Sequence, residues 1–295
     1  MLSMTTDYAN VSAGCPEPYL RRIAEAGFTH IHWCHHWNTD FLYADSEIEQ
    51  TGRWLKELGL TLTDLHASAG VEKGWCSPRE YERLAGIELV ANRISMTERL
   101  VAQASSLCSP PGQMPVPPVI ILHLPFEPEG AAEREACWTR VRRSLDELAP
   151  IARRRGVRLA LENGGKDNFD TLERVFAAYG PDFVGLCYDS GHGNVAGNGL
   201  DRLDRVKDRL LSVHLHDNDG AGDQHKLAFD GTVDWPRLAR LLAASAYRKP
   251  LSFESNMGSY PKGSDEMEHL RKAFAAGSRL AGMVAAPLAP RPRGG

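Results

Sequence analysis

The sequence has no run of apolar residues that approaches the roughly 18 needed to cross a membrane. Its first residues, Met1–Val11, also lack the basic start and the long apolar stretch of a secretion signal. These two absences exclude the usual signs of a membrane or exported protein. We therefore expect a protein of the cytoplasm with no membrane partner.

Cysteine is present, but not in a spacing that carries structural chemistry. None of the six cysteines forms a C-x-x-C pair, and their spacings match neither a zinc knuckle nor a disulfide framework. We expect reduced thiols in a fold held together by apolar burial, for which 42% hydrophobic residues are sufficient. The cysteines are Cys15, Cys34, Cys76, Cys108, Cys137 and Cys187.

An excess of basic charge is also missing. The formal net charge is −4, with 34 basic against 38 acidic residues. A protein that binds the phosphate backbone of nucleic acid needs a basic patch or stripe, and no long one occurs in this sequence. We therefore expect a small-molecule partner rather than nucleic acid.

What the sequence does have is a regular alternation of strand-like and helix-like segments. Short runs rich in β-forming residues alternate with amphipathic segments about eight times. This alternation predicts an α/β fold, a single (β/α)8 TIM barrel over residues 1–284. Residues 285–295, rich in proline, alanine and arginine, are expected to form a disordered tail. The predicted strands are Leu2–Thr6, Phe28–Cys34, Leu60–Leu65, Val119–Leu124, Val157–Leu161, Val184–Tyr188, Leu210–Leu215 and Pro250–Phe253.

Metal-type side chains stand at the ends of the last four predicted strands: Glu162, Asp189, His214 and Glu254. Side chains alternate between the two faces of a strand, so these four face the barrel axis when their apolar neighbours pack under the helices. A shift of register by one residue would instead place leucine in the site and the carboxylates under the helices. The sequence thus predicts that the four side chains meet at the carboxyl end of the barrel.

Three carboxylates and one imidazole make a hard, oxygen-rich donor set. Such a set suits a divalent metal, and we expect Mn²⁺, with Mg²⁺, Co²⁺ or Zn²⁺ as alternatives. Taken singly, the residues have simpler explanations. Asp189 could cap the segment that follows it, His214 could be a core histidine, and either glutamate could bond a helix or an arginine. Their arrival in one register favours the metal.

Six short motifs together resemble the xylose-isomerase-like TIM barrel superfamily of sugar (phosphate) isomerases and epimerases, whose relatives include inosose dehydratase and the endonuclease IV class. The resemblance covers nearly the whole chain, to about Leu280. The motifs are L-E-N-G at 161–164, D-S-G-H at 189–192, V-H-L-H-D-N-D-G at 213–220, D-Q-H at 223–225, D-G-T-V-D-W at 230–235 and F-E at 253–254.

The resemblance implies Glu162, Asp189, His214 and Glu254 as metal ligands. It further implies that Glu162 and Glu254 exchange the substrate proton and that His192 contacts substrate hydroxyl groups. The endonuclease-like members hold three zinc ions and use five further positions, all of which are occupied by suitable residues here. Those positions match His66, His123, His192, Asp223 and His225.

Further candidates for substrate contact follow the strands or lie in the loops at the same end of the barrel. His66 and His123 could line a pocket or bind metal, and Trp37 could be a platform for a sugar ring or an ordinary packing residue. The full set of expected substrate-binding residues is His192, His66, His123, His225, Trp37 and Lys226.

We interpret the chain as a divalent-metal-dependent isomerase or epimerase that acts on a small keto sugar or polyol derivative, through an enediolate formed by a glutamate base. A dehydratase or lyase, with His192, His225 or Lys226 as the acid, would share the first step. An abasic-site endonuclease and a non-catalytic, metal-stabilised subunit are further alternatives. A homo-oligomer is compatible with all of them.

Overall fold

All eight predicted strands are present in the computed structural model, which describes residues 1–10, 14–105 and 117–286. Apolar and β-branched residues dominate the strands, and their ends differ from the predicted ends by no more than two residues. The strands are β1 (Leu2–Thr5), β2 (His30–Trp33), β3 (Thr61–His66), β4 (Val119–His123), β5 (Arg158–Glu162), β6 (Val184–Asp189), β7 (Leu210–His214) and β8 (Leu251–Phe253).

The strands form one parallel sheet that closes into a barrel. Neighbouring strands pair in the order β7-β6-β5-β4-β3-β2-β1-β8. The ring closes between the ends of this order, where the N–H of Leu215 donates to the carbonyl of Ser252 at 2.8 Å and the N–H of Glu254 donates to the carbonyl of Leu215 at 3.0 Å. The predicted single (β/α)8 barrel is therefore confirmed, and its carboxyl end collects the ends of all eight strands.

Helices cover the outside of the barrel because their apolar faces pack against the outward side chains of the strands. Asp234 illustrates how they begin: its carboxylate accepts the N–H of Arg237 at 2.9 Å, and Pro236 lies in the first turn. The helices are α1 (Glu17–Glu25), α2 (Asp45–Glu57), α3 (Glu80–Ser105), α4 (Ala131–Arg154), α5 (Phe169–Ala178), α6 (Ser190–Ala196), α7 (Gly199–Val206), α8 (Trp235–Ala244) and α9 (Glu266–Ala285).

Two apolar clusters lie on opposite sides of the strands, as the predicted alternation requires. A small inner cluster is built on Val119, Ile121, Ala160 and Cys187, inside the barrel. The large outer cluster, which includes the helices, contains the neighbours that were expected to face outward: Leu159, Leu161, Leu186, Leu215 and Phe253. The register that directs the strand-end carboxylates to the axis is therefore the one found.

The helix α9 ends at Ala285, one residue beyond the predicted end of the barrel at residue 284. Residues 287–295 of the predicted tail lie outside the described residues, so the tail stays a prediction. Within the described ranges, no helix is both long enough and apolar enough to cross a membrane.

Candidate metal centre

The four predicted strand-end side chains converge at the carboxyl end of the barrel. Glu162, Asp189 and His214 end their strands, and Glu254 follows β8 directly. All four are buried, and one donor atom from each lies within 4.8 Å of the donor atoms of the other three. Residues from four separate strands thus present carboxylate and imidazole atoms to one small volume.

His214 provides a test of whether this volume suits a cation. The residue is fully buried, yet among the residues that the structure describes neither ring nitrogen has a hydrogen-bond partner. Its Nδ1 lies 3.2 Å from Glu162 Oε2 and 3.3 Å from Glu254 Oε1, without the geometry of a hydrogen bond to either. Buried polar atoms are normally satisfied, so this arrangement fits donors directed at a shared metal ion.

Glu162 lies among imidazoles that approach from the mouth. Its Oε2 is 3.1 Å from His123 Nε2, and its Oε1 is 3.4 Å from His192 Nδ1. Burial alone would raise the pKa of this carboxyl, but the charges of His123 and His214 and hydrogen bonds from His123 and His192 hold the pKa well below its usual range. Glu162 is therefore an ionised carboxylate at neutral pH.

Glu254 has a different partner, which lies inside the barrel. His32 Nε2 is 2.7 Å from Glu254 Oε1, and the His32 ring is completely buried. Burial would raise the pKa of Glu254, but His214 and His32 lower it more strongly. Burial would likewise lower the pKa of His32, whereas the acidic groups of Cys34, Asp64 and Glu254 raise it well above its ordinary value.

Asp189 combines the two roles that the sequence left open. Its Oδ1 accepts the N–H of His192 at 2.7 Å and so caps α6, while its Oδ2 lies 3.0 Å from His216 Nε2. The ring of His216 stacks on that of His225, with centroids 3.9 Å apart. A cap at the end of β6 thus fixes the same carboxylate that contributes to the centre.

A second donor group surrounds Glu162 on the side of β3 and β4. His66 Nε2 and His123 Nε2 lie 3.1 Å apart, and both approach Glu162 Oε2. Burial and the charge of His123 lower the pKa of His66 to about 3. His66 is therefore neutral at physiological pH, which is the form of imidazole that binds a metal or accepts a hydrogen bond.

A third donor group lies at the rim on the opposite side. Asp223 Oδ2 is 3.2 Å from His192 Nε2 and 3.2 Å from His225 Nε2. Burial opposes a charge on His225, but the hydrogen bond and the charge of Asp223 raise its pKa to about 9. The same contacts lower the pKa of Asp223 against the effect of burial.

Most of the predicted substrate-binding residues line one cavity of about 260 Å³ above the centre: His66, His123, His192, His225 and Trp37. The Trp37 ring lies 4.7 Å from the His66 ring and 5.9 Å from the His123 ring, measured between centroids. Lys226 is not in this lining, because its backbone pairs with Asp217 and its Nζ lies 4.0 Å from Asp219.

Several residues of the site were not predicted from the sequence. Asp7, Asn10 and Asn256 line the cavity, and His32 and Asp64 lie beneath it. The only signal for His32 was the alternation of polar and apolar residues in β2, which also occurs in ordinary half-exposed strands. Asp64 breaks the alternation of β3, where it follows the polar Thr63. Asp7 and Asn10 follow β1, whose sequence gave a weak strand signal.

The fold and the site together define a class: α/β-barrel proteins with a candidate divalent-metal centre at the carboxyl ends of the strands. The chain belongs to the Xylose isomerase-like TIM barrel family, whose model matches residues 20–274.

Similar proteins agree with this membership. The uncharacterized protein y4fM of Sinorhizobium fredii is 34% identical over 292 residues, which cover 90% of this chain and 88% of that protein. A protein named probable endonuclease 4, from Mycobacterium ulcerans, is 34% identical over 122 residues, 37% of this chain and 46% of its own length. The solved structure of D-psicose 3-epimerase in the presence of D-fructose has the same fold, with a TM-score of 0.73 and 16% identity over 97% of this chain and all of its own (100%).

Proposed function

We propose that the protein is a divalent-metal-dependent isomerase or epimerase of a small keto sugar or polyol derivative. One observation carries this proposal: two buried glutamates, Glu162 and Glu254, line the same small cavity, and their donor atoms lie within 4.8 Å of donor atoms of Asp189 and His214. Proton exchange on two faces of a carbon next to a carbonyl needs two such groups.

Glu162, Asp189, His214 and Glu254 would hold the ion, and Mn²⁺ is the ion that we expect for this donor set. When bound, the ion would supply Lewis-acid stabilisation of the negative charge that forms on the substrate oxygens.

The side chains of the protein would carry out proton transfer and substrate binding. Both glutamates are ionised in the free protein, so one can remove the proton from the carbon beside the carbonyl and form an enediolate. The other takes up a proton from solvent and delivers it to the opposite face, and the first then releases its proton to solvent. His123 and His192 lie beside Glu162, with side chains 38% and 15% exposed, where they can bind hydroxyl groups of the substrate. Trp37 lies against the His66 ring in the cavity lining, where it can shield this side of the cavity from water.

Likeness to a sugar epimerase supports the proposal at the level of the fold. The D-psicose 3-epimerase structure aligns over 97% of this chain. The family and the convergent carboxylates support metal-dependent chemistry, and the substrate itself is to be found by experiment.

Exchange of the substrate α-proton with deuterated solvent tests the proposal. A panel of ketoses, inososes and 3-keto glycosides is incubated with the Mn²⁺-loaded protein, and deuterium incorporation and product mass are measured. We expect incorporation without loss of mass as water, and loss of this exchange in Glu162→Gln but not in the surface variant Glu133→Gln. Retained exchange in Glu162→Gln would remove Glu162 from the role of base, and a product lighter by one water would indicate the dehydratase instead.

A zinc-dependent abasic-site endonuclease is a second candidate, favoured by the two additional donor groups. His66 and His123 meet at Glu162, and His216, Asp223 and His225 form another group whose donor atoms lie within 4.8 Å of one another. Elemental analysis of the purified protein, combined with a nicking assay on an abasic duplex, separates the candidates. Three zinc ions per chain with nicking would support the endonuclease, whereas one ion without nicking would exclude it.

A further inference from the structure

The interior of the barrel beneath the candidate metal centre contains polar residues that the proposed reaction does not use. His32, Asp64 and Ser212 are fully buried there, on β2, β3 and β7. Barrel interiors of this fold are ordinarily filled by branched apolar side chains. A buried histidine and a buried carboxylate at this level therefore call for a specific partner.

The contacts form a continuous chain from the barrel interior to the centre. The Ser212 hydroxyl donates to Asp64 Oδ2, and Asp64 Oδ1 lies 2.6 Å from His32 Nδ1. On its other side, His32 Nε2 lies 2.7 Å from Glu254 Oε1 and 2.8 Å from Cys34 Sγ. Because a carboxylate only accepts, His32 donates from Nδ1 to Asp64. Its Nε2 forms an ion pair with Glu254 Oε1 and has Cys34 Sγ as its hydrogen-bond partner.

A register shift in the sheet makes this chain possible. His30 pairs with Thr61 and Ile31 with Leu62, but after the shift His32 pairs with Asp64. Without the shift, the neighbour of His32 would be Thr63 rather than Asp64. Irregularities of this kind re-aim side chains next to functional sites.

We propose that His32, held by Asp64 and Ser212, is a positioning residue that fixes Glu254 Oε1 and thereby presents the Glu254 carboxylate to the metal in one orientation. The inference rests on the metal centre of the proposed function but not on the sugar reaction. Partners that hold a metal ligand from outside the coordination sphere tune affinity in many metalloproteins.

The opposite side of the centre shows why this role belongs to His32. The imidazoles beside Glu162, those of His123 and His192, lie in the cavity lining and can exchange their contact for one with substrate. His32 is absent from the lining and has no exposed surface, so no substrate can replace its contact with Glu254. Glu254 is thus the fixed ligand of the pair, and Glu162 is the one whose surroundings change as substrate binds.

Two amide substitutions separate positioning from packing. In His32→Gln the side-chain amide nitrogen replaces Nε2, which faces Glu254, whereas in His32→Asn it replaces Nδ1, which faces Asp64. The measurement is the Kd of Mn²⁺ for the metal-free protein by calorimetric titration, with the thermal unfolding midpoint of each variant recorded in parallel. Ser3→Ala is the matched control, since Ser3 is also buried in the barrel but bonds Ser252 rather than Glu254.

We expect His32→Asn to weaken Mn²⁺ binding by about 10- to 100-fold, the usual range for such outer partners, while His32→Gln stays within a few fold of the parent protein. Asp64→Asn should weaken binding by an intermediate factor, because His32 loses the acceptor that orients it. Ser3→Ala should leave the Kd unchanged.

Equal Mn²⁺ affinity in His32→Asn and the parent protein would overturn the inference. So would equal losses in His32→Gln and His32→Asn that follow their unfolding midpoints, because that is the signature of packing alone. A parent protein that binds Mn²⁺ but turns over no sugar would refute the proposed reaction while leaving this comparison decisive. A parent protein that binds no Mn²⁺ would overturn the inference together with the metal centre.

Discussion

The two ends of the barrel differ in how the surroundings of their buried ionisable groups shift the pKa values of these groups. At the carboxyl end, the carboxylates of Glu162 and Glu254 lie among imidazoles, and neighbouring histidines hold both carboxylates in their charged form. At the amino end, burial lowers the pKa of His30 to about 4 and also lowers the pKa of Lys249 and of Arg158. Lys249 Nζ is buried there with no hydrogen-bond partner among the described residues.

The difference indicates that the carboxyl end of the barrel is the binding end and that the amino end has a structural role. Gathered carboxylates repel one another unless a cation joins them, so the carboxyl end is arranged for binding. The amino end holds bases whose pKa values burial lowers, and among the described residues it offers no such set of donors. Substitutions at the carboxyl end should therefore change chemistry and metal binding, and substitutions at the amino end should change stability and its dependence on pH.

The largest effect should come from removing either glutamate. Glu162→Gln and Glu254→Gln should each lower turnover by about 10²- to 10⁴-fold, because a positioned base or acid is lost while the size of the side chain is kept. Turnover is measured with saturating Mn²⁺ on the substrate found in the exchange screen. His30→Asn is the control at the amino end. A comparable loss of turnover in that variant would contradict the assignment of the chemistry to the carboxyl end.

Removal of the metal should have the next largest effect. A chelator should abolish turnover, and added Mn²⁺ should restore it. At a concentration 100 times its Kd, Mn²⁺ should raise the free energy of unfolding by about 2.7 kcal/mol. Thermal unfolding with and without Mn²⁺ should show this gain in the parent protein and in His30→Asn, but not in His214→Asn, which lacks a ligand. An undiminished gain in His214→Asn would place the ion elsewhere.

Substitution of Trp37 should weaken substrate binding moderately and leave the chemical step unchanged. Trp37→Ala should raise KM by about tenfold, which corresponds to about 1.4 kcal/mol of lost contact with the substrate, while Trp37→Phe should keep most of the affinity. Steady-state kinetics separate KM from kcat. A fall in kcat with an unchanged KM would show that Trp37 does not contact the substrate in the ground state.

The smallest effect should be the pH dependence set at the amino end. The pKa of His30 is about 4 in the folded protein, below its ordinary value of 6.5, so the unfolded chain binds a proton first as the pH falls. Its contribution to stability is complete above pH 6.5 and is lost as the pH falls towards 4. Between pH 7 and pH 5 we expect a loss on the order of 1 kcal/mol from His30, allowing for its partly exposed ring.

Urea unfolding at the two pH values measures this loss. His30→Asn should reduce the slope of stability against pH without removing it, because burial also lowers the pKa of His35 to about 4 and that of His66 to about 3. A slope identical to that of the parent protein would show that the His30 ring is not desolvated in solution.

The fold and the four central side chains were predictable because both depend on local periodicity. An apolar run followed by Glu162, Asp189, His214 or Glu254 specifies a strand with a polar end, and the two-residue period specifies which face that end takes. A closed ring of parallel strands then brings these ends together whatever the details of the loops. The eight strands and the single barrel follow from the same alternation, summed over the chain.

The partnership of Glu254 with His32 and Asp64 was decided only by the tertiary structure. It joins β8 to β2 and β3, near opposite ends of the chain, and it needs the register shift that sets His32 opposite Asp64. A similar shift between β6 and β7 sets His214 opposite Asp189. The two-residue period predicts the face of the strand on which a side chain lies. It does not predict which residue of the next strand pairs with it, because the packing of the whole barrel sets that register.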